Sequence, residues 1–264
     1  MTYNTLVVEP KPPLAWIRLN RPERLNALDR ELARDLRAAV GEMVDREGIR
    51  IILLRGEGRA FSSGGDLREL RDQVVEGGRT EYLGELVDEV HATIRALWES
   101  PKPIVAAVHG VAAGAGLSLA LACDFRLASE EARFQMSFIN IGLVADSGST
   151  YLLPRLVGMG RAVELALTGE QVSAGQMERF GALNRVVPEG DLIRAAEEFG
   201  GKLARKSSMA LGHTKRLLHE SWGRNLFEQL DAERDGILDV VENSPEFAAA
   251  IRAFLERSRR GGRK

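Results

Sequence analysis

The fold class can be inferred from the segment PIVAAVHGVAAGAGLSLALAC, residues 103–123. It begins with a short apolar run at residues 104–108, continues through a glycine-rich segment, and ends in an apolar run at residues 116–123. This order predicts a buried strand, a tight turn and a buried helix. The length would also suffice for a membrane span, but the internal glycines favour the strand–turn–helix interpretation.

A second glycine-rich turn lies earlier, in AFSSGGDL at residues 60–67. It follows the apolar run at residues 51–54, which is typical of a strand that is covered on both faces. Each turn therefore leads from a buried strand into a helix N-terminus, where backbone N–H groups lack partners and the helix dipole favours negative charge. Two such turns aimed at one point would form an oxyanion hole, whereas a role in packing alone is the alternative.

The chain changes character near residue 190. Strands alternate with helices along residues 1–190, which indicates an α/β core built from repeated ββα or βαβ units. Residues 191–264 show helical patterns only, and their apolar stripes must be buried against the core or a neighbouring subunit. We therefore expect a core domain at residues 1–190 and a helical C-terminal region at residues 191–264 that serves oligomerisation.

The composition excludes several classes of protein. The 264 residues include 36 basic and 38 acidic side chains, and the net charge of −2 offers no general attraction to nucleic acid or to an anionic membrane. Cys123 is the single cysteine, so an internal disulfide and a thiolate metal site are excluded, and the four histidines show no metal-ligand spacing. We expect a cytoplasmic protein without a metal.

Common nucleotide-binding and nucleophile motifs are absent. The sequence contains no Gly-x-x-x-x-Gly-Lys-Ser/Thr phosphate loop and no Gly-x-Ser-x-Gly nucleophile elbow. A dinucleotide fingerprint that would start at Gly114 fails because Leu119 stands at its third glycine position. The two glycine-rich turns are therefore the candidate features for chemistry, with a role in packing alone as the alternative.

Several segments, in this order, resemble the enoyl-CoA hydratase/isomerase (crotonase) family. They are NRPERLNAL at residues 20–28, AFSSGGDL at 60–67, PIVAAVHG at 103–110, ACDFR at 122–126, LPRLVG at 153–158 and LTGE at 167–170. The resemblance covers roughly residues 5–190, and AFLE at residues 253–256 fits it as well.

The resemblance implies a spiral of repeated ββα units, a helical C-terminal trimerisation region, and a homotrimer or a dimer of trimers. It implies an acyl-CoA thioester substrate, with no cofactor besides the coenzyme A of that substrate. By position, the oxyanion hole comprises the N–H groups of Gly65 and Ala115, where alanine replaces the usual glycine but keeps the N–H. The implied substrate- and CoA-binding residues are Arg24, Leu25, Ala60, Ser62, Ser63, Gly64, Asp66, Leu67, Arg68, Gly114, Phe138 and Phe254.

The reaction depends on the side-chain acids and bases. Hydratases of this family use two glutamates, and the resemblance places Ser118 and Phe138 at those positions, which argues against water addition. The segment around Asp146 is similar to the phenylacetate-pathway isomerases, in which the matching aspartate is the proposed base; a helix N-cap is the alternative role for Asp146. Asp66 and Asp124 are expected to be structural, Asp66 as a helix cap.

The primary hypothesis is isomerisation of an unsaturated or ring-modified acyl-CoA through an enolate, with Asp146 as proton shuttle. A single carboxylate suits this reaction because it can remove a proton from one carbon and return it to another. Such chemistry belongs to fatty-acid metabolism or phenylacetate catabolism.

Three alternatives stay open. The first is 2-enoyl-CoA hydration. The second is similar to 4-chlorobenzoyl-CoA dehalogenase, in which an aspartate at the position of Asp146 attacks the ring with help from a histidine at the position of His91; Phe138 replaces the tryptophan which that enzyme uses. The third is a protein that binds CoA esters without turnover or acts as a scaffold.

Overall fold

The computed structural model describes residues 2–261, with side chains up to residue 256. The strands form a six-stranded sheet, with the order β1-β2-β3-β4-β6-β9, and a three-stranded sheet, with the order β5-β7-β8. Their bounds are β1 Leu6–Lys11, β2 Leu14–Leu19, β3 Ile51–Gly56, β4 Ile104–Val108, β5 Val111–Ala113, β6 Phe125–Ser129, β7 Arg133–Gln135, β8 Gln171–Ser173 and β9 Arg185–Val187.

Helices follow most of the strands and make up the end of the described chain. They are α1 Arg30–Asp45, α2 Leu67–Leu70, α3 Thr80–Glu99, α4 Ala115–Ala122, α5 Ser149–Val157, α6 Met159–Thr168, α7 Ala174–Arg179, α8 Leu192–Ala204, α9 Ser208–Glu220, α10 Leu226–Asn243 and α11 Pro245–Gly261. A π-helical segment, Arg71–Glu76, continues from α2. Short 3₁₀ helices are Pro22–Arg24, Ser137–Ile141, Glu189–Asp191 and Ser221–Gly223.

The large sheet is parallel from β2 to β9, and only β1 runs antiparallel, against β2. Strand β3 lies inside it and is covered on both faces, as the sequence predicts. Ile52 and Leu54 pack into one hydrophobic cluster, while Ile51 and Leu53 pack into another. The alternation places two separate cores on the two faces of the sheet.

Helix α8 covers the second face of the sheet. Leu192, Ala195 and Ala196 join the cluster that contains Leu53. At Gly200 a Cβ atom would lie 3.2 Å from the Leu53 Cδ2 atom, so the helix approaches the strand closely. The first C-terminal helix thus closes the sheet, and the assignment of residues 191–264 to subunit assembly stays a prediction.

The later C-terminal helices leave many large apolar side chains exposed. No membrane span accounts for them, because none of the described helices is long and apolar enough to cross a bilayer. Within residues 218–256 the exposed large apolar side chains are Leu218, Trp222, Leu226, Phe227, Leu230, Ile237, Leu238, Val241, Phe247, Ile251, Phe254 and Leu255. Such a surface is typical of a protein–protein interface.

Candidate active site

The two glycine-rich turns are joined by backbone hydrogen bonds. The N–H of Ser62 donates to the carbonyl of Val111 at 3.1 Å, and the N–H of Ala113 donates back to the carbonyl of Ser62 at 3.0 Å. The short strand β5 supplies this contact, although the sequence predicts only a turn there. Three residues are too few for a periodic pattern, so the pairing partner and not the local sequence makes this strand.

Glycines allow the two turns to approach each other. Gly64 has a left-handed φ of +93°, and a Cβ atom on it would lie 2.7 Å from the carbonyl oxygen of Ala113. A Cβ atom on Gly116 would lie 2.4 Å from the carbonyl oxygen of Ser62. Both distances are too short for any side chain, so these glycines are required for the packing between the turns.

A cavity of about 500 Å³ opens where the turns meet, and both Gly65 and Ala115 line it. Among the described residues, no acceptor bonds to the N–H of Gly65 or of Ala115. Ala115 is the first residue of α4, a position at which the N–H has no intrahelical partner. Gly65 and Ala115, the pair that the resemblance implies for an oxyanion hole, therefore line the same cavity, and neither N–H group has a partner among the described residues.

The cavity wall is mainly aliphatic. Helix α3 contributes one side of it, and residues 138–144 contribute the other. The apolar lining side chains are Leu28, Leu67, Leu70, Leu83, Leu86, Val87, Val90, Phe138, Ile141, Leu143 and Val144. A wall of this kind suits an apolar acyl group.

Asp146 is the one ionisable side chain among the described residues that line the cavity. It does not cap α5, because the residue at the N-cap is Gly148, so the alternative role as a helix cap is wrong. Ser149 donates to its backbone carbonyl twice, from the hydroxyl at 2.7 Å and from the N–H at 3.1 Å. The Ser118 hydroxyl, whose one hydrogen is shared with the carbonyl of Gly114, lies 3.2 Å from the same oxygen. The next residue, Ser147, is left-handed, with φ 57°. The backbone that carries this carboxylate is thus firmly fixed.

His91 contacts the Asp146 carboxylate from α3. Its Nε2 lies 2.7 Å from Asp146 Oδ1. The imidazole is 41% exposed and the carboxylate 30% exposed, and His91 itself does not line the cavity. The structure therefore brings His91 to the candidate site, where it contacts the Asp146 carboxylate without lining the cavity.

The other predicted binding residues divide into two groups. Those that line the cavity are Ser63, Gly64, Leu67, Gly114 and Phe138. Those that do not line it are Arg24, Leu25, Ala60, Ser62, Asp66, Arg68 and Phe254. Phe254 is 69% exposed on α11, and its predicted role, like that of the others, stays a prediction.

Asp66 caps helix α2, as predicted. Its Oδ1 accepts from the N–H groups of Arg68 at 3.1 Å and Glu69 at 3.3 Å, and its Oδ2 accepts from Arg21. The loop before α1 is tied to the same turn, because the Ser63 N–H donates to the carbonyl of Leu25 at 3.0 Å. These bonds fix the turn on which the Gly65 N–H lies.

A second ionic cluster lies between the core and α9. Asp124 Oδ2 accepts from the Ile104 N–H at 2.8 Å and from Lys215 Nζ at 2.9 Å. His219 Nε2 lies 3.6 Å from Asp124 Oδ1, and the His219 ring stacks on Trp98 with ring centroids 3.5 Å apart. Asp124 is thus structural, as predicted, and burial lowers the pKa of His219.

Comparison with known proteins places the chain in a family. The family model for enoyl-CoA hydratase/isomerase matches residues 10–260. The 1,2-epoxyphenylacetyl-CoA isomerase of Escherichia coli (strain K12) is 38% identical over 238 residues, 90% of each chain. A probable enoyl-CoA hydratase of Rhodobacter capsulatus is 38% identical over 257 residues, 97% of each chain. The crystal structure of an enoyl-CoA hydratase from Polaromonas sp. JS666 has a TM-score of 0.90 at 33% identity, covering 96% of this chain and 97% of that one.

The sheet topology, the paired turns and this likeness define a protein of the crotonase fold. The chain belongs to the enoyl-CoA hydratase/isomerase family, which confirms the resemblance seen in its motifs. No group of three or more His, Cys, Asp or Glu side chains that could hold a metal ion occurs within the described residues.

Proposed function

We propose that the protein is an acyl-CoA isomerase that moves a double bond through an enolate, with Asp146 as proton shuttle. One observation carries this proposal: Asp146 is the one ionisable side chain on the described cavity wall. The two positions at which hydratases of the family have glutamate hold Ser118 and Phe138. A second carboxylate that would activate a water is therefore missing from those positions.

The free N–H groups of Gly65 and Ala115 would bind the thioester carbonyl oxygen. As a proton leaves the adjacent carbon, negative charge moves onto this oxygen, and fixed donors stabilise the charge without reorganising. The loss of one such donor typically costs about 2.7–4 kcal/mol of transition-state stabilisation. The turns would therefore do most of the work of acidifying the substrate, and Asp146 would move the proton.

The proton balance needs one carboxylate only. Asp146 takes a proton from the α-carbon of a 3-enoyl thioester, and the electron pair of that C–H bond delocalises into a dienolate. The same carboxylic acid then returns a proton to the γ-carbon, so that the double bond ends in conjugation with the thioester. Asp146 is ionised again at the end, and no water is consumed.

The named relatives support the coarser assignment and divide on the reaction. The Escherichia coli relative is named a 1,2-epoxyphenylacetyl-CoA isomerase, while the Rhodobacter relative is named a probable enoyl-CoA hydratase. Ser118 and Phe138, which stand where hydratases of the family have glutamate, favour the isomerase. The acyl group that is processed remains part of the proposal, and the aliphatic wall of the cavity supports an apolar one.

The test is an assay with a 3-enoyl-CoA that follows formation of the conjugated 2-enoyl thioester. In heavy water, deuterium next to the thioester would additionally report enolate formation. The proposal fails if the protein produces no 2-enoyl-CoA and exchanges no α-proton across a panel of linear and aromatic thioesters. Hydration of crotonyl-CoA at ordinary enzyme rates would instead support the hydratase alternative.

The contact between His91 and Asp146 favours a second candidate, hydrolytic dehalogenation. In this reaction the carboxylate attacks the halogen-bearing ring carbon, chloride leaves, and water cleaves the resulting ester. The 2.7 Å contact supplies the histidine beside the aspartate that this reaction needs. Phe138 in place of a tryptophan argues against it. Release of chloride from 4-chlorobenzoyl-CoA would decide between the two candidates.

A further inference from the structure

The two oxygens of the Asp146 carboxylate have different surroundings. Oδ1 lies 2.7 Å from Nε2 of His91, which is a short contact for a nitrogen donor. Among the described residues, the one hydrogen-bond partner of Oδ2 is the Ser147 hydroxyl, at the longer distance of 3.4 Å. Oδ1 therefore has the short hydrogen bond, and Oδ2 is the less strongly bound oxygen of a carboxylate that lines the cavity.

The chemistry of the two groups fixes the direction of this contact. An ionised carboxylate only accepts hydrogen bonds, so a neutral His91 donates from Nε2 and keeps its Nδ1 unprotonated. Within the described chain, Nδ1 has no partner, and the imidazole is 41% exposed. His91 therefore donates to Asp146 from Nε2, and its Nδ1 has no hydrogen-bond partner within the described chain.

Stability does not explain the contact. Ion pairs and hydrogen bonds between groups this exposed contribute little to the free energy of folding. His91 is also not a candidate for direct proton abstraction, because it does not line the cavity. Orientation of the carboxylate is the remaining effect of a short, charge-assisted hydrogen bond at this place.

We infer that His91 is a positioning residue for the reaction proposed above: it holds Oδ1, so that Oδ2 is the atom which takes and returns the substrate proton. A carboxylate that is free to rotate would offer either oxygen at varying angles, and proton transfer needs a fixed one. The serine bonds to the Asp146 carbonyl fix the backbone, and the His91 bond fixes the remaining rotation of the side chain. This inference rests on the proposed isomerase activity.

The kinetic test compares two variants of the whole protein on a 3-enoyl-CoA. His91→Gln keeps an N–H donor, and His91→Leu keeps the bulk but removes the donor. We expect His91→Leu to lower kcat by roughly 10- to 100-fold, the range for loss of a hydrogen bond to a charged group, with KM changed less than about 2-fold. We expect His91→Gln to keep most of the activity. Equal kcat values in both variants, or a change in KM alone, would overturn the inference.

Chemical rescue separates donation from packing. In His91→Ala, added imidazole should restore part of kcat, whereas a hydrocarbon of similar size, which has no N–H, should not. A merely structural role for the ring would give equal rescue by both compounds and would contradict the inference.

A spectroscopic measurement keeps the inference separate from the proposed function. The ¹⁵N shifts of the His91 ring in the ligand-free protein should show the Nε2–H tautomer and should change in Asp146→Asn. If the wild type isomerises nothing but the tautomer is as expected, the proposed function has failed and the contact stands. If the tautomer is Nδ1–H, the inference itself is wrong.

Discussion

The hydroxyl of Ser118 lies 3.2 Å from the backbone carbonyl oxygen of Asp146, across 28 residues of sequence. Ser118 is fully buried on α4, and its hydroxyl also lies 3.2 Å from the carbonyl of Gly114. The residue at the position of the first hydratase glutamate is therefore in contact with the backbone of the candidate base.

Ser118→Ala should lower kcat in the isomerase assay by roughly 5- to 10-fold, because the loss of a hydrogen bond of about 1 kcal/mol loosens the backbone of Asp146. KM should change little. Ser129→Ala is the matched control, since the buried hydroxyl of Ser129 has no partner within the described chain. If both variants show wild-type kcat, Ser118 has no part in positioning Asp146.

Asp146→Asn should reduce kcat by roughly 100- to 10,000-fold, the usual contribution of a positioned acid or base. The amide has nearly the same shape, so the melting temperature should change by only a few degrees. Asp88→Asn, at an exposed position on α3, should leave kcat unchanged. A fully active Asp146→Asn variant would remove the proton shuttle from the proposal.

Gly64→Ala should disrupt the meeting of the two turns. The residue is left-handed, which costs a side chain about 1–2 kcal/mol, and its Cβ would lie 2.7 Å from the Ala113 carbonyl. Both the melting temperature and kcat/KM should fall. Gly41→Ala, at an open position of α1, should instead stabilise the fold by about 0.5–1 kcal/mol. Thermal unfolding of the Gly64→Ala and Gly41→Ala variants would show whether the fall in melting temperature is specific to the turn.

The protein should lose stability as the pH falls below about 6.5, the ordinary pKa of histidine. Burial lowers the pKa of His109 and of His219. The unfolded chain therefore binds protons in a pH range where the folded chain does not, and the free energy of unfolding decreases with falling pH. Urea unfolding between pH 8 and pH 5.5 measures this slope. His219→Gln should make the slope shallower, and an unchanged slope would show that His219 does not contribute.

The exposed apolar surface of the C-terminal helices should be covered by further copies of the chain. We expect a homotrimer or a dimer of trimers, not a single 29.0 kDa chain. Light scattering after size-exclusion chromatography gives the mass directly. The unfolding midpoint should also rise with protein concentration, because assembly stabilises the folded chain by mass action. A monomer at all concentrations would contradict the expected assembly.

Local sequence patterns predict those parts of the fold that depend on neighbouring residues, such as apolar runs and helix caps. The apolar run of β3 and the Asp66 cap of α2 both occur as expected. Strands β5 and β8 did not follow from the sequence, since each has three residues and depends on pairing with β7. These strands exist because of tertiary pairing, which a short segment of sequence cannot indicate.

The candidate site was predictable in part. The two turns are visible locally as glycine clusters, whereas Asp146 is indicated by the similarity of its segment to the phenylacetate-pathway isomerases. From the sequence, Ser118 indicates only that a glutamate is missing, because its bond to the Asp146 carbonyl depends on the packing of α4 against a residue 28 positions away. The contact of His91 with Asp146 spans 55 residues, and only the resemblance to another enzyme suggested that the two could meet.

Helix α3 carries both a part of the cavity wall and the histidine that contacts Asp146. Leu83, Leu86, Val87 and Val90 form part of the cavity wall, and His91 is the very next residue. If the proposed function holds, an acyl chain that is too long or too wide would displace α3 and move the His91 imidazole away from Asp146. Chain-length discrimination would then be expressed in turnover more than in affinity, so that misfitting thioesters bind and yet are left unchanged.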